Sequence, residues 1–280
     1  MIAMGARNRP GATTNRVALL AALLLAATAP AQTTEEKPLL RVELLVLEVR
    51  STEVTVGLHI ELAPGWYLYW LNPGDAGLAP QVGWILPPGF AAGKLRFPTP
   101  QKIVHGDIVT YGFRDETLIL CDMRRPEATT EADQPTITAV LDWMACKESC
   151  IMGKTTVQVN PTGLSAADIQ KSRSVFSRFS SRYPKPISAA VLSANDARLI
   201  KSLGRWTVEI ALSGRDAARA SDFYPFPRED FVIDHHWITI KEGKLIVPVE
   251  PSNPSAALSI FSGLIIIDGA GFEVSMPVKD

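Results

Sequence analysis

The sequence of 280 residues is short of cysteine, of excess charge of either sign, and of long hydrophobic runs. Three cysteines are too few for a small domain held together by a dense set of disulfides. The 28 basic and 29 acidic residues nearly cancel, so the chain lacks the basic excess of nucleic-acid-binding proteins and we expect no nucleic-acid partner. Haem-attachment and glycine-rich phosphate-binding motifs are also missing. With 46% hydrophobic residues, the chain can still bury one large core or two ordinary ones.

The first 31 residues have the layout of a secretory signal peptide. Three arginines between positions 7 and 16 precede an apolar run over residues 17–28, and small residues ending at Ala31 form a cleavage site. A membrane anchor is the alternative, but the run is shorter than the ~20 apolar residues that span a bilayer. We therefore expect cleavage after Ala31 and a periplasmic location, where a pair of thiols can be oxidised.

Apolar and polar side chains alternate with a period of two in much of the chain, which predicts β-strands. The alternation is clearest over Val54–Leu62, Ile137–Trp143, Trp206–Leu212 and Phe272–Val278. Turn signals rich in proline and glycine, such as Pro87-Pro88-Gly89, separate the apolar segments. Many short strands of this kind predict an all-β fold built from β-sandwiches.

One segment, Ser165 to Tyr183, has helical spacing instead. Ser165 and Asp168 form a candidate capping box, and Pro184 ends the apolar pattern. We therefore predict two immunoglobulin-like β-sandwich domains joined by a short helix. The predicted units are the signal peptide at 1–31, a first sandwich at 32–163, a helical linker at 164–186 and a second sandwich at 187–280.

Cys146 and Cys150 flank three residues that connect two predicted strands, Ile137–Met144 and Thr155–Val159. A hairpin connection or bulged turn brings the two Cα atoms within the about 4.4–6.8 Å that a disulfide requires, whereas a helix would hold the side chains too far apart. In the loop-entropy model, so short a ring constrains the unfolded chain by only about 2 kcal/mol. Redox activity, a structural bridge, and free or metal-bound thiols all stay open at this point.

The surroundings of the cysteines add little from sequence alone. Lys147 would lower the pKa of a neighbouring thiol and Glu148 would raise it, so the two charges oppose each other. Cys121 lies in an apolar run and is predicted to be a buried, inert thiol, with pairing to Cys146 or Cys150 as the alternative.

A block rich in tryptophan and tyrosine precedes the cysteines, and further short motifs accompany it: Gly65–Trp70, Asn72–Gly77, Pro80, Trp84, Leu86-Pro87, Gly89-Phe90, Phe97-Pro98, Tyr111-Gly112, Trp143–Cys150 and Phe223-Tyr224-Pro225. Together these motifs resemble the N-terminal periplasmic domain of the DsbD/ScsB family of thiol–disulfide reductases. The resemblance covers most of residues 38–280 and is weaker in the second half. The three-residue spacing of the cysteines is similar to the ScsB-like branch and shorter than in the best-known DsbD domain.

The resemblance implies an immunoglobulin-like domain that exchanges disulfides with periplasmic proteins, in the context of cytochrome c biogenesis or copper tolerance. The family's cysteine pair maps onto Cys146 and Cys150. By the same resemblance, Cys150 would form the mixed disulfide with partners and Cys146 would resolve it. In that family such a domain receives electrons from a thioredoxin-like domain, which is itself supplied through a membrane-embedded domain. Because this sequence carries neither, we expect a thioredoxin-like or membrane electron-transfer partner in trans, exported disulfide-containing proteins as further partners, and no cofactor.

Several residues near the cysteines are candidates for shielding or tuning a reactive disulfide. A loop bearing Trp66, Tyr69 or Trp70 could cover it against adventitious thiols, although these aromatics could equally belong to the sandwich core. Asp75 could adjust the pKa of a thiol, but its place in a turn signal favours a turn residue. Trp143, just before the cysteines, completes the candidate site.

The histidines do not form a close-spaced set of metal ligands. His235 and His236 would point to opposite faces if they lay on a strand, and His59 and His105 are far away in sequence. We therefore predict no metal site. The alternative function is a non-catalytic periplasmic binding module, with a connection to copper, whose disulfide is only structural.

Overall fold

The computed structural model describes residues 38–127, 135–187, 193–202, 204–253 and 255–279. The predicted signal peptide at 1–31 and its cleavage site lie outside the described residues. Within these ranges, no helix is long and apolar enough to cross a membrane.

The first half of the chain forms two antiparallel sheets. Their strands are β1 (Leu40–Val49), β2 (Glu53–Leu62), β3 (Tyr67–Gly74), β4 (Gln81–Ile85), β5 (Ala91–Arg96), β6 (Gln101–His105), β7 (Ile108–Arg114), β8 (Glu116–Arg124), β9 (Ile137–Cys146) and β10 (Cys150–Val159). One sheet has the order β1-β2-β8-β5 and the other β10-β9-β3-β7-β6, with β4 paired to β9. Apolar residues from both sheets, including Val56, Trp70 and Leu141, fill a common core.

The predicted helix is present as α1 (Ala166–Phe179). Its capping box is formed as predicted, with reciprocal hydrogen bonds between Ser165 and Asp168. The helix buries Val175 and Phe179 against Leu118 and neighbouring apolar residues, on the face of the first sheet that points away from the sandwich core. The predicted connector therefore also covers one sheet of the first sandwich.

The second half of the chain is again built from β-strands, which confirms the prediction of an all-β fold. These strands are β11 (Lys185–Pro186), β12 (Ser193–Ser202), β13 (Arg205–Ser213), β14 (Ala220–Pro225), β15 (Phe231–Ile233), β16 (Thr239–Lys241), β17 (Lys244–Pro251), β18 (Ile260–Ile267) and β19 (Ala270–Lys279). They follow the order β14-β18-β19-β12-β13-β17-β15, in which β12 and β19 pair in parallel. A second apolar core includes Val208, Val247 and Phe261.

The two halves pack directly against each other. Tyr224, Leu264 and Ile266 of the second half belong to the core of the first sandwich. The Asn72 Nδ2 group donates a hydrogen bond of 2.8 Å to the carbonyl oxygen of Pro225. The second half therefore covers part of the first core through direct contacts.

His235 lies at this junction. It begins a 3₁₀ turn, His235–Trp237, so the argument from opposite strand faces does not apply to the two histidines. His235 is buried, and its Nδ1 atom lies 3.2 Å from the Tyr111 hydroxyl, whereas His236 is exposed. The 3₁₀ turn places His235 against Tyr111, a residue that is distant in sequence.

Candidate functional site

The cysteine pair forms a disulfide across the end of a hairpin. Cys146 is the last residue of β9 and Cys150 the first of β10, and the two face each other in the ladder with their Cα atoms 4.1 Å apart. The Lys147 N–H donates a hydrogen bond of 3.1 Å to the Ser149 carbonyl oxygen within the connection. The hairpin expected from the flanking strands, and the disulfide that it allows, are both present.

The two sulfurs of this disulfide have different surroundings. Cys146 is 2% exposed and packs in a small cluster with Tyr67, Tyr69 and Ile103. Cys150 is exposed, and so is Met152 two residues further along β10. The difference follows from strand order, because β9 lies between two strands whereas β10 ends the sheet in the described part of the chain. A thiol from solution or from another protein can therefore reach Cys150 more easily than Cys146.

Tyr69 contacts the buried sulfur. Its hydroxyl donates a hydrogen bond of 3.1 Å to Cys146 Sγ and lies 3.9 Å from Cys150 Sγ. Burial, with a smaller contribution from the neighbouring Tyr67 hydroxyl, raises the pKa of Tyr69 above its ordinary value. The hydroxyl thus keeps its proton at neutral pH and remains a hydrogen-bond donor toward the sulfur.

A short loop after β3 covers the ring of Tyr69. Gly77 has a φ of +107°, and a Cβ at this position would overlap the Tyr69 ring, so the loop backbone lies directly on the ring. The Asp75 carboxylate accepts a 2.7 Å hydrogen bond from the Val109 N–H, and the Asp75 N–H donates to the Val109 carbonyl oxygen. Asp75 therefore anchors the loop at Val109, which corresponds to the expected turn residue.

The predicted aromatic residues lie on different sides of the sheet. Trp66 is half-buried, and Tyr69 is at the disulfide. Trp70 is 1% exposed and lies in the sandwich core, because successive residues of a strand point to opposite faces. Trp143 packs on Gly153 and donates a 3.0 Å hydrogen bond to Thr155 Oγ1. Trp70 and Trp143 are thus not placed to shield the sulfurs.

The two charged residues of the connection, Lys147 and Glu148, are exposed. The aliphatic part of the Lys147 side chain lies against Gly65, at the turn before β3. This contact joins the disulfide hairpin to the start of the strand that carries Tyr67 and Tyr69.

Sequence reasoning missed Tyr67 as part of this cluster. Its hydroxyl lies 3.5 Å from that of Tyr69, its ring stacks with His105, and the Arg114 guanidinium lies 5.7 Å from its centre. A signal for Tyr67 was available, since residues two apart on a strand share a face. No pattern in the sequence indicated His105 or Arg114, which reach the site from β6 and β7.

Two other groups were candidates for chemistry. Cys121 is free and buried in the sandwich core, and burial raises the pKa of its thiol to about 11, which disfavours the reactive thiolate.

His59, Glu61 and Glu116 bring ligand atoms within 4.8 Å of one another. However, Arg178 already pairs with Glu116 at 2.9 Å and supplies the positive charge there.

Comparisons with known proteins found one family model and several similar solved structures. Residues 35–161 match the family model described as "Thiol:disulfide interchange protein DsbD, N-terminal". The fold is similar to that of the N-terminal periplasmic domain of ScsB from Proteus mirabilis, with a TM-score of 0.59 and 17% identity over 85% of this chain and 92% of that chain. The reduced N-terminal domain of DsbD from Neisseria meningitidis matches 44% of this chain and 86% of its own, with 15% identity and a TM-score of 0.30. A search of curated proteins found no match.

Proposed function

We propose, from the match of residues 35–161 to the DsbD N-terminal family model, that this protein exchanges disulfides with periplasmic partners through Cys146 and Cys150. The observation that carries the proposal is the asymmetry of the bond. Cys150 is exposed on an edge strand, and Cys146 is buried beside the Tyr69 hydroxyl. Exchange requires one sulfur that a partner can reach and a second that leaves and later returns.

The first direction of the reaction reduces this protein. A partner thiolate attacks Cys150 Sγ, the bond to Cys146 breaks, and its electron pair leaves on Cys146 Sγ. A mixed disulfide now joins Cys150 to the partner. A second thiolate of the partner attacks the partner's own sulfur and releases Cys150 as a thiolate. The partner becomes a disulfide, and two electrons have moved to this protein.

The second direction reduces an exported substrate. The Cys150 thiolate attacks the substrate disulfide and expels one substrate sulfur, which takes a proton from water. The Cys146 thiolate then attacks Cys150 Sγ, releases the other substrate sulfur and restores the original disulfide. In both directions the Tyr69 hydroxyl, 3.1 Å from Cys146 Sγ, donates a hydrogen bond to the Cys146 thiolate. This bond stabilises the protein while the Cys146–Cys150 disulfide is open.

Location, partners and domain limits complete the proposal. The protein acts in the periplasm, with a thioredoxin-like protein as electron donor and exported disulfide-containing proteins as acceptors. Its two sandwich units are residues 32–163 and 187–280, and residues 164–186 join them. The separate apolar cores of the two halves support this division.

Trapping the mixed disulfide tests the roles of the two cysteines. The Cys146→Ser variant is labelled with thionitrobenzoate and mixed with a thioredoxin that retains only its attacking cysteine. We expect a mixed disulfide at Cys150, identified by mass spectrometry. Of the disulfide pair, the matched Cys150→Ser variant keeps the buried Cys146, and labelling and trapping at this residue should be at least about tenfold slower. Equal trapping rates would contradict the assignment of roles, and no trapping in either variant would contradict exchange itself.

A further inference from the structure

The strand that carries Cys150 has an open edge. Among the described residues, β10 is hydrogen-bonded to β9 on one side and to no strand on the other. Its first three residues, Cys150, Ile151 and Met152, are all exposed, whereas half-buried residues alternate with exposed ones further along. Because successive side chains point to opposite faces, three exposed residues in a row show that both faces of the sheet are open beside the reactive sulfur.

The main-chain groups at this edge can be assigned from the ladder. Directly opposite residues in an antiparallel pair have Cα atoms about 5.5 Å apart when they exchange hydrogen bonds and about 4.5 Å apart when they do not. The Cα distance of 4.1 Å between Cys146 and Cys150 identifies a pair without mutual hydrogen bonds. The N–H and C=O groups of Cys150 therefore point away from β9, and by alternation so do those of Met152.

The direction of attack points to the same edge. In thiol–disulfide exchange, the attacking sulfur approaches along the line of the bond that breaks. The line from Cys146 Sγ through Cys150 Sγ runs from β9 toward β10 and then past the open edge of the sheet. The opposite approach, toward Cys146 Sγ, would come from the side of β3, where Tyr67 and Tyr69 pack. A partner sulfur thus reaches the disulfide from the open edge of β10.

We propose that the exchange partner adds an extended, cysteine-bearing segment to the open edge of β10. The segment makes main-chain hydrogen bonds to Cys150 and Met152. An apolar side chain two residues from its cysteine lies on the same face and packs on Met152 and Met144, which face each other in the ladder. This inference rests on the proposed function, because the covalent step is what brings a partner to this edge.

The geometry of an added strand suits the mixed disulfide. A partner residue that exchanges hydrogen bonds with Cys150 would have its Cα about 5.5 Å from that of Cys150, within the range that a disulfide spans. Directly opposite residues also share a face of the sheet, so the partner cysteine would lie on the same face as Cys150. Main-chain pairing is independent of partner sequence, and methionine side chains adapt to different neighbours, so one edge could serve several partners.

Amide hydrogen exchange in the trapped complex tests the added strand directly. The Cys146→Ser variant is joined at Cys150 to an extended synthetic peptide that carries one cysteine and an apolar residue two positions away, and a matched sample is joined to glutathione, which is too short to form a strand. We expect the amides of Cys150 and Met152 to exchange at least about tenfold more slowly in the peptide complex than in the glutathione control. The amides of Ile151 and Gly153, which bond to β9, should be protected in both samples.

The outcomes separate this inference from the proposed function. If the mixed disulfide forms but Cys150 and Met152 amides exchange at equal rates in both samples, the added strand is overturned and disulfide exchange stands. If neither the peptide nor glutathione attaches to Cys150, the proposed function itself is overturned.

Kinetics with a proline at the edge give a second test. Met152→Pro removes an N–H that points away from β9, a position where edge strands tolerate proline. We expect the thiol of the single-cysteine peptide to attack the disulfide at least about tenfold more slowly, with reduction by dithiothreitol changed less than about twofold. Thr156→Pro removes an equivalent outward N–H four residues away and should leave both rates unchanged. A rate of attack by the peptide thiol on Met152→Pro equal to that on the unmodified protein would contradict the inference.

Discussion

The two faces of β3 have different neighbours although their residues alternate along one strand. On the outer face, Tyr67 and Tyr69 pack against Cys146. On the inner face, Leu68 and Trp70 are almost fully buried in the sandwich core. Neighbouring residues of β3 therefore have different surroundings: one side chain lies at the disulfide and the next lies in the sandwich core. The difference indicates that stability and redox chemistry can be changed separately in this strand.

The inner face also carries the contact with the second half of the chain. The Trp70 ring lies 5.9 Å from that of Phe226, and the Tyr111 ring lies 4.7 Å from that of Tyr224. The second half thus packs on the side of the sheet opposite to the disulfide. Substitutions on the inner face should alter the free energy of unfolding, and those on the outer face should alter reduction of the disulfide.

We expect the largest change, a loss of free energy of unfolding, from a substitution on the inner face of β3. Trp70→Ala removes a large buried ring, which should lower the free energy of unfolding by about 3–5 kcal/mol in a denaturant titration. The reduction potential of the disulfide should stay unchanged within error. Trp70→Phe is the matched control, because it keeps an aromatic ring and removes an indole N–H that has no acceptor among the described residues, and it should lose less than half as much stability. A reduction potential that moves with stability in both variants would break the comparison.

A smaller effect is expected at the loop that covers Tyr69. Gly77→Ala forces a side chain against the Tyr69 ring and into a left-handed conformation, so it should lower the free energy of unfolding by about 1–3 kcal/mol and speed reduction by dithiothreitol. Gly269→Ala is the control, because Gly269 also has a positive φ but no atom near its Cβ position. Equal reduction rates in the two variants would show that the loop does not shield the disulfide.

The Tyr69 hydroxyl should change redox chemistry more than stability. Tyr69→Phe removes the donor to Cys146, so the pKa of the Cys146 thiol should rise and reduction by thioredoxin should slow about tenfold, equivalent to about 1.4 kcal/mol. Tyr67→Phe retains the Tyr69 donor and should change the rate much less. We would measure both rates by stopped-flow fluorescence and the thiol pKa by alkylation at different pH values. If the two variants behave alike, the hydroxyl of Tyr69 has no role of its own.

These predictions also show how much of the site was accessible from sequence. The four alternating segments became strands, and the hairpin and the capped helix formed as expected, because all three depend on local patterns. Which face of β3 points to the sandwich core could not be predicted, since Tyr67 to Trp70 are all aromatic or apolar and show no alternation with polar residues. The position of Gly77 on Tyr69 and the 3₁₀ turn at His235 depend on packing between segments distant in sequence. The hydrogen bond from Tyr69 to Cys146 Sγ could be identified only from the structure.

The smallest effect is expected from pH at the junction between the halves. Burial lowers the pKa of His235, so this side chain binds a proton more tightly in the unfolded chain than in the folded protein. Stability should therefore be retained above the ordinary histidine pKa of about 6.5 and fall as the pH drops below it. His235→Gln should reduce the loss of unfolding free energy between about pH 7 and pH 5, measured in urea, whereas the exposed His236→Gln should not. An unchanged pH dependence in His235→Gln would assign it to other groups.

The reduction potential of the Cys146–Cys150 disulfide tests the central claim most directly. The protein would be equilibrated in thiol buffers of known potential, and the trapped thiols would be counted by mass spectrometry. A disulfide that exchanges with partners should have a potential between about −270 and −120 mV, the range of exchanging dithiol proteins. A potential below about −300 mV would mark a structural bridge and contradict the proposed function.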